Sequence, residues 1–157
     1  MSRPGRVEVA SRLDASAEQV WARVTTPEGI NDELMPLMRM TMPAAVRGLD
    51  PETVPLGERL CRSWLLLFGF LPFDYDDVTV VRLDPGRGFL ERSPMLSQRV
   101  WEHERTLEPV GPEACVVRDR LTFEPRLALP GPALEPLVRG IFRHRHRRLR
   151  RHFGPRR

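Results

Sequence analysis

Two alternating segments hold most of the side chains that could do chemistry. In Gln98–Leu107 the odd positions Trp101, His103, Arg105 and Leu107 share one face, and Glu102 and Glu104 occupy the other. In Ala114–Glu124 the odd row is Cys115, Val117, Asp119, Leu121 and Phe123, an apolar face interrupted by one acid; Arg118, Arg120 and Glu124 belong in water. A hairpin closed around Gly111 sets Asp119 opposite His103 or Arg105, depending on register. Either partner is chemically sound, because a buried carboxylate needs a charged or hydrogen-bonding neighbour. A histidine oriented by an aspartate is also an acid/base pair that works near neutral pH. His103 and Asp119 are therefore the catalytic candidates.

The C-terminal segment contributes a third row. At about 100° per residue, Leu134, Val138, Phe142 and Leu149 form one helical stripe flanked by Ile141 and Phe153. Arg145 falls inside it, whereas Arg139, Arg143, Arg147, Arg150 and Arg151 point elsewhere. A helix that merely covers an apolar sheet needs no guanidinium there. Arg145 is expected to meet Asp119 or the anionic part of a ligand. Such an Asp-Arg-His cluster either fixes how the helix docks or orients a bound molecule, and the two roles can coexist.

Other chemistry is poorly represented. Ser63, Ser93 and Ser97 lie in no nucleophile motif, and Cys61 and Cys115 have no local base. His144 and His146 are about 200° apart on a helix, whereas two ligands of one metal need a spacing of three or four residues. No metal is expected. Without a G-x-G-x-x-G or P-loop, neither is a nucleotide cofactor.

These rows need elements to hold them. Val7, Val9, Ser11 and Leu13 alternate with polar or small residues, predicting a first strand. Ser16-x-x-Gln19 fits a capping box for a helix carrying Val20, Trp21 and Val24, and a second helical turn follows over Glu28–Leu34. Residues 35–55 read as loop with a short strand near Arg39–Met42. A meander is then expected over Glu58–Phe68, Phe73–Leu83, Gly88–Ser93, Gln98–Glu108 and Ala114–Glu124. The run Trp64–Phe68 is read as a strand buried on both sides, and Phe70-Leu71-Pro72-Phe73 as a turn that could form a pocket mouth. Pro130-Gly131-Pro132 ends the sheet and starts the long helix.

Composition bounds the class. The 157 residues are 41% hydrophobic and 29% charged, as expected for one globular domain spanning 1–157. Every basic residue other than histidine is arginine, and nine of the 25 lie at or after Arg139, where no acid occurs. Residues 1–138 therefore hold 16 Arg against 21 acids, a balance of −5. The positive end is expected to be a solvated helix terminus with weak, unspecific affinity for polyanions, not a nucleic-acid reader. No apolar run reaches the roughly 18 residues of a membrane span, and Met1–Arg6 has no apolar leader core. Two cysteines without CxxC spacing suggest buried free thiols and a cytoplasmic setting. The residues set no oligomeric state.

The order β-α-α, meander, long helix resembles the START-like, Bet v 1-like and polyketide-cyclase-related helix-grip superfamily. The likeness covers nearly the whole chain. Its local marks are Trp101-Glu102-His103, Asp119-Arg120-Leu121-Thr122-Phe123 and Phe142-Arg143-His144-Arg145-His146. The resemblance implies an α+β fold in which a curved antiparallel sheet wraps a long C-terminal helix, with two short helices after the first strand. It also implies an internal cavity, roughly 300–1,000 Å³ for a small ligand, that takes an apolar or amphipathic molecule. Trp101, Val138, Phe142 and Leu149 would supply its apolar wall, and His103, Arg105, Asp119 and Arg145 its polar minority. The rivals are a cyclase- or dehydratase-like enzyme using the same cavity, and an interaction protein using the Arg-rich helix.

Overall fold

A computed structural model describes residues 3–154. Seven strands form one antiparallel sheet: β1 (Gly5–Leu13), β2 (Met38–Met40), β3 (Arg59–Leu67), β4 (Leu71–Asp84), β5 (Gly88–Ser93), β6 (Gln98–Pro109) and β7 (Cys115–Pro125). Their spatial order is β1-β7-β6-β5-β4-β3-β2. Two short helices, α1 (Ala17–Val24) and α2 (Pro27–Leu34), follow β1, and the 19-residue α3 (Glu135–Phe153) follows a 3-10 turn at Gly131–Leu134. The sheet curls around α3 as the resemblance implied, and the fold is α+β helix-grip. Strand bounds agree with the alternation to within two residues.

Local chemistry explains the short helices. The Ser16 hydroxyl accepts from the Gln19 amide, and the Gln19 side chain accepts from the Ser16 amide, both at 3.1 Å, completing the expected capping box. Thr26 caps α2 in the same way through the Gly29 amide, with Pro27 in the first turn. Gly29 is also where the two helices meet. A Cβ there would lie 1.9 Å from the Arg23 carbonyl oxygen, so α2 can cross α1 at this distance only without a side chain. The crossing sets the position of Glu33, one turn further along α2.

The interior is apolar at two levels with a polar layer between. Leu13, Val20, Val24, Leu107, Val117 and Leu149 form one cluster. Val7, Leu121, Phe123, Val138 and Phe142 form the other, with Trp101 against it. Along β7 the inward row runs Cys115, Val117, then Asp119, then Leu121 and Phe123, so the acid falls between the clusters.

One expectation is corrected. Trp64–Phe68 is not buried on both sides: Trp64 is 43% and Phe68 60% exposed. Because α3 covers only one face of the sheet, β3 alternates, with Cys61 and Ser63 inward and Arg62 and Trp64 outward. On that outer face Trp64 meets Tyr75 edge to face, and Arg62 lies over the same ring.

Two glycines in helices should respond oppositely to alanine. Gly29→Ala must displace backbone and should lower the melting temperature by several degrees. Gly140→Ala, in α3 with nothing within 4 Å of a new Cβ, should stabilise by about 0.5–1 kcal/mol. Thermal unfolding of both variants checks the pair.

Candidate functional site

Strand register resolves the choice left open by the turn: Arg105 pairs with Asp119. The Asp119 carboxylate nevertheless meets His103 as well. Arg105, fully buried, spans two acids. Its Nε and Nη2 donate to Asp119 at 2.7 Å each, and its Nη1 and Nη2 donate to Glu33 at 3.0 and 2.8 Å. Arg145 Nε donates to Glu33 Oε1 at 3.1 Å. Asp119 also takes His103 Nε2 and His146 Nε2, both at 2.7 Å. His146 Nδ1 bonds the Ser11 hydroxyl at 2.8 Å, and Arg150 donates to that hydroxyl at 2.6 Å.

Charge accounting closes within this layer, with two carboxylates against two guanidiniums. Burial alone would raise the Asp119 pKa, but the charge and hydrogen bonds of Arg105, followed by those of His103, hold it well below the ordinary range. Burial likewise opposes the charge on Arg105, yet Asp119 and Glu33 keep its pKa above the usual arginine value. An ionised Asp119 only accepts, so each histidine presents Nε2–H to it. The Nδ1 of His103 has no hydrogen-bond partner among the described residues.

A cavity of about 240 Å³ opens beside this layer, between the sheet, α3 and the loop after α2. It is smaller than expected, because that loop folds inward and lends Met38, Met40, Met42, Val46 and Leu49 to the wall. Phe73 and Leu137, 44% and 62% exposed, mark its mouth; Leu71–Phe73, expected to be part of a turn, begin β4, and of Phe70–Phe73 Phe73 alone lines the cavity. Among the expected ligand residues, Trp101, His103, Arg105, Val138, Phe142 and Arg145 line the space. Asp119 and Leu149 do not. Asp119 is sealed behind Arg105 and the histidines, and Leu149 belongs to the apolar cluster near α1. The His103 ring meets Phe142 edge to face at 5.1 Å and Phe89 at 5.4 Å.

A further correction concerns Arg145. Its acid is Glu33, not Asp119, whose oxygens are already occupied by Arg105, His103 and His146. Glu33, His146 and Ser11 are participants that strand parity did not bring forward. His146 lies about 40° from Phe142 on the helical wheel, so the wheel held a signal for it. Ser11 stood in the inward row of β1. Glu33 carried only its place one turn after Gly29.

The same cavity has a second polar end. Asp74 and Asp76 of β4, Glu91 of β5 and Gln98 of β6 all reach its wall. Burial first, then the charge and hydrogen bond of Glu91, raise the Asp76 pKa well above the ordinary range, with Asp74 adding to the effect. The neighbouring Ser93 hydroxyl donates to Glu91 at 2.8 Å. Cys61 is also on the wall, a free thiol 3.5 Å from the Ser63 hydroxyl; burial pushes the pKa of the other free thiol, Cys115, up. Among the described residues no group of three His, Cys, Asp or Glu is placed to hold a metal ion. Among the described residues no helix is long and apolar enough to cross a membrane.

A curled sheet gripping a long helix is the fold of START-like and Bet v 1-like proteins. The chain belongs to the family described as Domain of unknown function (DUF8410), whose model matches residues 11–153. Solved structures of the same fold include a START superfamily protein from Mycobacterium smegmatis, 16% identical, with a TM-score of 0.68 over 94% of this chain and 96% of that one. Norcoclaurine synthase from Thalictrum flavum, in truncated form, is 11% identical, with a TM-score of 0.67 over 99% and 97% of the two chains. The Zhui aromatase/cyclase from Streptomyces sp. R1128 is 15% identical, with a TM-score of 0.56 over 93% and 88%. No curated protein matches the chain in sequence.

The two buried acids should behave oppositely. Asp119→Ala strands a buried guanidinium and should cost about 3–5 kcal/mol in urea unfolding. Because its folded pKa is depressed, the stability Asp119 contributes is present above the ordinary aspartate value, about 3.9, and is lost as pH falls below it. Asp76 has the reverse sign. With its pKa raised, the wild type loses stability as pH rises through that value, facing Glu91, Asp74 and Ser93. Asp76→Asn should therefore melt higher than wild type at pH 7, and the difference should vanish towards pH 4.

Proposed function

We propose that the chain works as one helix-grip domain that binds a small apolar or amphipathic molecule between the sheet and α3. The observation that carries this reading is the cavity itself: about 240 Å³ of space walled by methionines, Leu60, Leu65 and Ile141, with polar groups at its margin. Methionine walls adapt to ligand shape, and a few fixed polar groups orient what enters. Trp101, Val138 and Phe142 are its apolar wall residues, and His103, Arg105 and Arg145 its polar edge. Asp119 acts through His103 and Arg105.

A second reading is favoured by one observation. His103 gives Nε2–H to Asp119 and carries Nδ1 at the cavity wall, the arrangement of a general base. Two proteins of similar fold are enzymes by name, a synthase and an aromatase/cyclase. Fold likeness supplies no reaction, so catalysis by this chain would rest on His103 alone. His103→Gln should keep ligand binding while abolishing any turnover of a molecule retained from the host, as read by mass spectrometry.

The Arg-rich helix supports polyanion binding less well. Arg145 is committed to Glu33 and Arg148 to Asp32, whereas Arg150, though it donates to Ser11, is exposed together with Arg143, Arg147 and Arg151. Arg156 and Arg157, expected to be exposed as well, lie outside the described residues.

Binding of an apolar fluorescent dye should be micromolar and displaceable by octanol. Phe142→Arg, which puts a charge into the wall, should abolish it. Dye binding unchanged in that variant would refute the cavity as the site. Affinity for a random-sequence DNA fragment should be weak and disappear near physiological salt.

A further inference from the structure

We propose that the end of the cavity between β4 and β5 recognises a ligand ammonium group, so that the molecule bound is a small amphipathic amine. This rests on the reading of the cavity as a ligand site and adds the chemical class of its occupant.

The support is an imbalance found nowhere else among the described interior residues. Asp76 is only 5% exposed, and its Oδ1 has no hydrogen-bond partner. Gln98, 8% exposed, has an unpartnered Oε1. Both side chains line the cavity, as do Asp74 and Glu91. Buried acceptors are nearly always satisfied, and a native exception asks for a missing partner. Elsewhere the molecule satisfies its inward acids: Glu33 and Asp119 each meet arginine. Even Asp77, the outward neighbour of Asp76, takes Arg62 and Arg59. Among the described residues no arginine or histidine forms an ion pair with Asp74, Asp76 or Glu91.

What is missing must be a donor, and preferably a cation. The acids are not grouped to chelate a metal ion. An ammonium has three N–H donors and tolerates acceptors spread over several strands. Asp74 is already engaged by the Ser97 amide and hydroxyl and so contributes mainly its field. Asp76 and Glu91, near enough for Glu91 to act on the Asp76 carboxyl group, are the direct ligands. In the empty cavity a proton on Asp76 relieves their repulsion; as the ammonium enters, that proton leaves to solvent and the charged nitrogen takes its place. Gln98 Oε1 accepts a further N–H. The alkyl or aromatic body then lies along the methionine wall towards Phe142. Glu91 stands opposite His103 in the β5–β6 register, so the amine end neighbours the acid/base candidate.

The test uses the full chain and three probes of equal length: octylamine, octanol and octanoic acid, followed by calorimetry or displacement of the bound dye. Octylamine should bind at least about tenfold tighter than octanol, the scale of charge-assisted hydrogen bonds, and octanoic acid weakest. Asp76→Asn and Glu91→Gln should each remove most of that preference, read as the ratio of octylamine to octanol affinity, and cooperative thermal unfolding shows that the variants are folded. Octanol binding with no amine preference, or a preference that survives both variants, overturns the proposal and leaves the cavity reading standing. Failure of all three probes to bind overturns both.

Discussion

A single buried guanidinium organises this molecule. Arg105 lies on the middle of the sheet with no solvent contact and forms two-point hydrogen bonds with Asp119 on the neighbouring strand and Glu33 on a separate helix. An ion at that depth is tolerable only when its partners are in place. The layer therefore acts as a registration device: β6, β7, α2 and α3 fit together in the one arrangement that neutralises every charge. Two histidines extend the requirement, since His146 ties α3 to both β7 and β1 through Asp119 and Ser11. The apolar clusters above and below supply the burial, and the polar layer supplies the alignment.

The same layer shapes the cavity beside it. Arg105 and Arg145 are held back by Glu33, and His103 by Asp119, so the polar edge of the cavity is rigid before anything enters it. Rigid, pre-satisfied donors orient a ligand without being reorganised by it. The opposite end, between β4 and β5, has the contrary character. There the carboxyl groups face one another without counter-charge, and burial and the proximity of Glu91 raise the Asp76 pKa. One pole is closed by the protein's own cations, and the other is left open to something brought in.

Proteins of this fold differ in what they do, and at 11–16% identity the shared feature is the frame. What distinguishes this chain is the chemistry of the inner face. Polar groups recur along the inner face: His103 reaches Asp119 by a hydrogen bond, Glu91 stands opposite His103, and Ser63 stands opposite Asp76. The cavity is small because the loop after α2 fills part of the space with methionines. A small, mostly apolar chamber with one acidic pole is a narrower specification than the fold alone provides.

Much of this was readable from residue order. Strand parity put His103, Arg105 and Asp119 on one face, since alternation is a local property of extended chain. The helical wheel put Arg145 inward for the same kind of reason, and Ser16 with Gln19 announced the first helix. The partner of Arg145 was not readable. Asp119 and Glu33 both satisfy the demand of a buried cation, and only the crossing of α1 and α2 at Gly29 decides which acid arrives. Nor was the outward half of β3 readable, because Trp64 and Phe68 look like core until the sheet is seen to be covered on one face only. The acidic pole needed the tertiary structure most of all. Asp74, Asp76 and Glu91 sit in ordinary mixed segments, and their shared isolation from arginine emerges only when curvature turns two strands towards one void. Local periodicity determines which way a side chain points; packing between distant segments determines what it meets there.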